Sequence, residues 1–224
     1  MFDLFFPTYC INCGMSGEYL CTKCQKKLQK SIPECYMCRR ISNNYKTHDH
    51  CDIYGIESLF IGWQYNQIAK KIISQFKYKY SYNLAEIISN LLIKRLNETG
   101  FLNQINSESL LIPIPIHKKH LLDRGFNQTL LIARNLSKQL NIKLKDDVLY
   151  RKGPSRYQAR SNLEDRKKLK DIFYLKENLS GKNVIILDDV ITTGTTVNNA
   201  ALTLKDNRIK VLTLFRGRPQ YHQL

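Results

Sequence analysis

The chain has no apolar run that approaches the roughly 18 residues of a membrane span. Its opening MFDLFF is too short, and too acidic in front, for a secretory signal. These two absences predict a soluble, cytoplasmic protein. Cysteine is missing from everything after position 51. Acid is scarce as well: 19 Asp and Glu stand against 35 Lys and Arg, a formal charge of +16 over 224 residues. That balance points to a polyanionic partner such as nucleic acid, or to phosphate-rich ligands. The plainer alternative is a lysine-rich surface that serves solubility alone. No internal repeat or low-complexity tract is present beyond the paired cysteines. The length leaves room for one α/β domain of roughly 150 residues and a smaller module.

What is there begins with those cysteines. Six of the seven form C-x2-C pairs: Cys10/Cys13, Cys21/Cys24 and Cys35/Cys38. In a reducing cytosol such pairs read as metal ligands rather than disulfides. A C-x2-C knuckle lets two thiolates reach one ion while backbone N–H groups face the sulfurs, which suits tetrahedral Zn²⁺. Two sites need eight ligands, and Cys51 is the seventh cysteine. The stretch HDHC places His48 at the same spacing before Cys51, with His50 as a competitor. The predicted zinc sites are Cys10/Cys13/Cys21/Cys24 and Cys35/Cys38/His48/Cys51. Sequential and interleaved pairings of knuckles both remain open, as do buried reduced thiols without metal. A segment this short, with few large core residues, needs the metal to fold. It is expected to span 1–54, with the second domain at 55–224.

Beyond it, ESLFIGWQYN reads as a strand, and NQIAKKIISQFKYKYS as a helix with Ile68, Ile72, Ile73 and Phe76 on one side. The other side carries Lys70, Lys71, Lys77 and Lys79 among Tyr78, Tyr80 and Tyr82. That face is either simply solvated or a phosphate-contacting stripe with stacking aromatics, as single-strand binders use. Leu84, Ile87, Ile88, Leu91, Leu92 and Leu96 line a second helix that Gly100 ends. A short buried strand, Leu110 to Ile114, exits through Pro113 and Pro115 into a rigid loop. RGFNQTLLIARNLSKQLN opens another helix, DVLYR and DIFYL are short strands, and IKVLTLF is the last one. The alternation predicts a mostly parallel sheet with helices on both faces.

The stretch VIILDDVITTGTTV carries the chemistry. Val184 to Leu187 form an apolar strand with Asp188 and Asp189 at its tip, followed by Thr192, Thr193, Gly194, Thr195 and Thr196, and a helix from about Thr195 to Lys205. In an open α/β sheet, ligands bind beyond the carboxyl ends of the strands. Amide N–H groups at a helix start, with threonine hydroxyls, make an anion cradle, and Gly194 allows close backbone approach. The acids accept hydrogen bonds from hydroxyls or hold Mg²⁺. A ribose 5-phosphate satisfies both halves.

This stretch closely resembles the phosphoribosyl pyrophosphate (PRPP) loop of type I phosphoribosyltransferases. The resemblance implies that Asp188 and Asp189 take the ribose hydroxyls, and that Thr192, Thr193, Gly194, Thr195 and Thr196 take the 5′-phosphate, with Mg²⁺ accompanying PRPP. The N-terminal knuckles, PIPIHKKHLLDRGFNQ and the PRPP loop, in that order, resemble the ComF family of natural competence proteins. Those join a zinc-ribbon module to a phosphoribosyltransferase domain. By that resemblance Arg124, Gly125, Asn127 and Gln128 face the site, and Pro115, Ile116, His117 and Lys118 meet the pyrophosphate end. A plain helix start with a capping asparagine is the simpler reading of RGFNQ. RYQARSNLEDRKKLKDIF resembles the family's variable loop more loosely: Gln158 and Arg166 match, Ser161 and Leu169 do not, and Arg156 and Arg160 suit pyrophosphate or a general basic surface. The family role implied is uptake of single-stranded DNA in transformation, with competence machinery at the inner face of the membrane as a further partner. An active transferase and a non-catalytic PRPP sensor are the alternatives, and the sequence offers no assignable acceptor pocket.

Overall fold

The computed structural model describes residues 8–76, 81–151 and 172–217. Lys77, Tyr78, Lys79 and Tyr80, and the segment holding Arg156, Gln158, Arg160, Ser161, Arg166 and Leu169, lie outside the described residues. A short helix α1 (Thr22–Gln25) begins inside the Cys21/Cys24 knuckle, with Cys21 as its cap residue. Then come β1 (Ile56–Gln64), α2 (Gln67–Gln75) and α3 (Ser81–Glu98). They lead to β2 (Leu110–Pro113), α4 (Lys118–Arg124) and α5 (Gln128–Leu140). The chain continues through β3 (Lys143–Leu144), β4 (Leu149–Arg151), β5 (Phe173–Leu175), β6 (Asn183–Ile191), α6 (Thr195–Thr203) and β7 (Arg208–Arg216).

Five strands form one parallel sheet in the order β1-β7-β6-β2-β3. Because side chains alternate across a strand, each central strand feeds two cores. Ile185 and Leu187 of β6 join Leu212 and Leu214 of β7 under α3 and α5, with Ile88, Leu92, Ile132 and Leu136. Val184 and Ile186 point the other way, with Ile209 and Val211, toward Val197, Ala200 and Ala201 of α6. Burial on both faces is why the strands read as near-continuous apolar runs. It also turns β1, expected from its rough alternation, into a strand buried along almost its whole length. Gly62 lets the layers close: a Cβ there would stand 3.1 Å from the Leu214 carbonyl oxygen and 3.3 Å from Leu92.

The two short strands DVLYR and DIFYL leave this plan. β4 and β5 pair antiparallel as a separate ribbon, Tyr150 opposite Tyr174. The cysteine-rich segment runs along the outer edge of β1. Gln64 N–H donates to the Gln29 carbonyl at 2.8 Å, and Thr47 N–H to that of Glu57 at 2.8 Å. Antiparallel bridges Lys30–Trp63 and Lys46–Ser58 mark the two contacts. Lys71 on α2 reaches back to the Asn12 carbonyl at 2.9 Å, so one lysine of the basic face is engaged by the first knuckle. Lys70 beside it is exposed.

Candidate functional site

Strand β6 ends at the carboxyl edge of the sheet, and the acid pair sits on it. Asp188 is buried at 9% exposure, while Asp189 is half-buried. Their backbone holds them in place. Asp189 N–H donates to an Asp188 carboxylate oxygen at 2.9 Å, and Val190 N–H to an Asp189 oxygen at 2.7 Å. The second Asp189 oxygen accepts from the Gln128 side-chain amide at 2.9 Å, and Arg124 donates to Gln128 at 3.3 Å. Burial, and then the neighbouring Asp189 charge, push the Asp188 carboxyl well above the usual carboxylate range. Hydroxyl donors or a cation would relieve that cost.

The loop that follows opens outward. Thr192, Thr193 and Thr195 are exposed, Thr196 is half-buried and Gly194 is buried. The Thr193 and Thr195 hydroxyls lie 3.0 Å apart. Gly194 stands at φ +84° as the cap residue of α6 and supplies no side-chain acceptor. Helices α2, α4 and α5 are capped by Asn66, His117 and Asn127. The first N–H groups of α6 therefore lack the side-chain acceptor those helices have. A hollow of about 40 Å³ is lined by Asp188, Val190, Ile191, Val197 and the loop from Thr192 to Thr196.

The proline loop is set beside this edge. Ile114 N–H donates to the Leu187 carbonyl at 2.9 Å, and the Asn127 side chain donates to Ile114 at 3.1 Å. Asn127 also caps α5, accepting from Thr129 N–H at 3.1 Å, which is the simpler reading of RGFNQ. The loop is shorter than expected. His117 caps α4, accepting from Lys119 N–H at 3.1 Å, and Lys118 already begins that helix. Lys118, Lys119 and His120 are exposed, and Ile116 stays in the loop before it. Arg151 of β4 adds a cation whose charge acts on Asp188. Nothing in the sequence singled it out.

The cysteines gather into two groups, Cys10/Cys13/Cys21/Cys24 and Cys35/Cys38/His48/Cys51, with the ligand atoms of each within 4.8 Å of one another. A tetrahedral ion with Zn–S bonds of about 2.3 Å holds two sulfurs about 3.8 Å apart; Cys13 and Cys21 sulfurs lie 3.7 Å apart. The Cys38 sulfur and His48 Nδ1 are 3.4 Å apart, near the roughly 3.6 Å expected for a sulfur–nitrogen edge. The grouped histidine is His48, and His50 stacks on its ring at 5.7 Å. Backbone donors face the sulfurs: Cys21 N–H meets Cys10 at 3.4 Å, and His48 N–H meets Cys35 at 3.4 Å. Burial pushes the Cys10 thiol up, but the N–H groups of Cys21, Cys13 and Asn12 outweigh it and hold it at about 6. The donor set and spacing fit a thiolate-binding ion such as zinc.

Residues 127–218 match the phosphoribosyl transferase domain family. Across the chain, competence protein F of Haemophilus influenzae is 27% identical over 212 residues, covering 90% of this chain and 92% of that one. Competence protein ComFC of Bacillus subtilis is 28% identical over 217 residues, covering 89% and 85%. The chain is similar to ComF-type competence proteins along about nine-tenths of its length. The DNA utilization protein YhgH of Escherichia coli is similar too, 25% identical over 201 residues, covering 89% of this chain and 79% of that one. The parallel sheet agrees with the phosphoribosyltransferase-like fold, and the gathered cysteines agree with a zinc-ribbon module ahead of it.

Proposed function

We propose that the protein assists uptake of single-stranded DNA during natural transformation and carries a PRPP site at the β6–α6 junction. The observation that carries the site is the α6 start without a side-chain cap beside a fixed acid pair. Asp188 and Asp189 would accept hydrogen bonds from the ribose hydroxyls. The amides and hydroxyls of Thr192, Thr193, Gly194, Thr195 and Thr196 would donate to the 5′-phosphate. Mg²⁺, bound with PRPP, would supply charge neutralisation at the pyrophosphate. His117, Lys118 and Arg124 would meet that end, with Ile116 in the loop beside them. Zinc would occupy both cysteine groups, making 1–54 a metal-built unit against the transferase-like unit 55–224. The DNA role is supported by the relatives named for competence and DNA utilization and by the +16 charge. No helix among the described residues is long and apolar enough to cross a membrane, so a cytoplasmic place, in peripheral contact with uptake machinery at the inner membrane, is consistent with this role.

One preparation titrated with PRPP·Mg²⁺ and with single-stranded oligonucleotides, separately and in competition, tests both halves. The expected result is saturable PRPP binding, and DNA binding whose log K falls by about 0.7 per phosphate contact for each log unit of salt. Neutralising Lys70, Lys71, Lys77 and Lys79 together should flatten that slope. Release of pyrophosphate with a panel of bases would make the protein a transferase, and absence of any DNA binding would remove the uptake role.

A further inference from the structure

The Cys35/Cys38 knuckle does more than offer ligands. Cys35 N–H donates to the Arg40 carbonyl at 2.8 Å and Arg39 N–H to that of Cys35 at 3.0 Å, closing the turn with Arg39 at φ +60°. Two residues of this turn outside the ligand group, Tyr36 and Arg39, reach the loop after β6. Arg39 Nη2 donates to the Thr192 carbonyl at 2.9 Å. Tyr36, 6% exposed, places its hydroxyl 3.3 Å from the Gly194 carbonyl and against the Asn198 side-chain amide. The fit is tight: a Cβ on Gly194 would stand 2.7 Å from that hydroxyl. Burial pushes the Tyr36 phenol up, so it remains a donor at neutral pH. Just before the knuckle, Glu34 forms a buried ion pair with Arg216, which lies in register with Ile191 at the root of the same loop.

These contacts fix peptide planes. A trans peptide is planar, with its C=O and the following N–H pointing opposite ways. Drawing the Thr192 carbonyl toward Arg39 therefore turns the Thr193 N–H away from the knuckle. The Gly194 carbonyl accepts from Asn198 N–H at 2.8 Å in the first turn of α6, and the Tyr36 hydroxyl backs it from the knuckle side, with the Thr195 N–H pointing the other way. These are donors of the anion cradle, so the aim of the Thr193 N–H is set, and that of the Thr195 N–H reinforced, from outside the loop, by a turn whose shape a bound metal would fix.

We propose that Tyr36 and Arg39 are positioning residues for the anion-binding loop, and that occupancy of the Cys35/Cys38/His48/Cys51 site is thereby linked to phosphate binding at Thr192–Thr196. The linkage rests on the reading of both sites given under Proposed function. Linkage is reciprocal: what steadies the knuckle tightens the loop, and a phosphate in the loop slows metal release from the knuckle but not from the Cys10/Cys13/Cys21/Cys24 group.

The test uses the full-length, zinc-loaded protein with Tyr36→Phe, Arg39→Gln and the conservative Arg39→Lys. Three measurements are taken: amide exchange across 191–198, the dissociation constant for PRPP·Mg²⁺, and the rate at which a chromogenic chelator captures each zinc. Tyr36→Phe and Arg39→Gln should keep both zinc equivalents, speed exchange in the loop and weaken PRPP binding about 3- to 10-fold, with Arg39→Lys restoring part of the loss. PRPP should slow capture of one zinc equivalent of two, and Tyr36→Phe should erase the difference. Wild-type exchange and wild-type PRPP affinity in both variants would overturn the proposal. If the wild-type protein binds no PRPP, the reading of the loop fails, and exchange in the variants still decides whether the knuckle positions it.

Discussion

At the scale of single residues the site is a set of donors and acceptors whose directions are fixed before any ligand arrives. Asp189 has one oxygen held by Val190 N–H and the other by Gln128. Asp189→Ala should abolish measurable PRPP binding while zinc content stays unchanged; unaltered affinity would dissolve the assignment. Gln128→Ala leaves the acid and removes only its brace, so a milder loss of about 2- to 10-fold is expected. Gly194→Ala acts differently, because its φ of +84° and the 2.7 Å approach of Tyr36 both resist a Cβ. Strain of about 1–3 kcal/mol should lower the thermal midpoint by roughly 3–10 °C, as a melting curve will read. The acid pair and the threonine loop were readable in sequence because strand, tip and helix start are contiguous. Tyr36 and Arg39 were not: they lie between and beside the knuckle cysteines, and their partners are more than 150 positions away.

Among elements, what the sequence conveyed follows the strength of its period. The helices α3 and α5 have long apolar faces and were readable. Helix α4 was not, since it buries no residue and leaves Leu121 and Leu122 exposed; no period distinguishes it from a loop. The two-residue β3 is too short to carry a pattern. β4 and β5 read as strands, but their antiparallel pairing is a tertiary fact that neither segment encodes alone. One junction between elements can be tested by acid. Lys30, beside the edge of β1, and Arg95 of α3 both reach Glu98, at 2.9 and 3.1 Å. Their hydrogen bonds hold the Glu98 carboxyl below its ordinary value. A lowered acid stabilises the fold above its unfolded pKa, and that contribution disappears as pH falls through the folded one. Glu98→Gln should therefore cost roughly 1–3 °C in melting temperature near neutrality, and the gap to wild type should close in acid.

For the molecule as a whole, the cysteine-rich segment is part of the core rather than an appendage. Cys10, Leu20, Cys24 and Leu28 belong to the same buried cluster as Ile72, Leu92 and Phe215. Chelation under reducing conditions should thus perturb the sheet's surroundings as well as the knuckles, visible as lost near-ultraviolet dichroism with much far-ultraviolet signal retained. The lining of β1 by residues around Gln29 and Thr47 has a further consequence. A nine-residue apolar border strand without that trim is a template for another chain. Cells starved of zinc should therefore accumulate this protein as sediment, and a chelated sample should scatter light in proportion to how concentrated it is, clearing only where the ion returns before strands have joined.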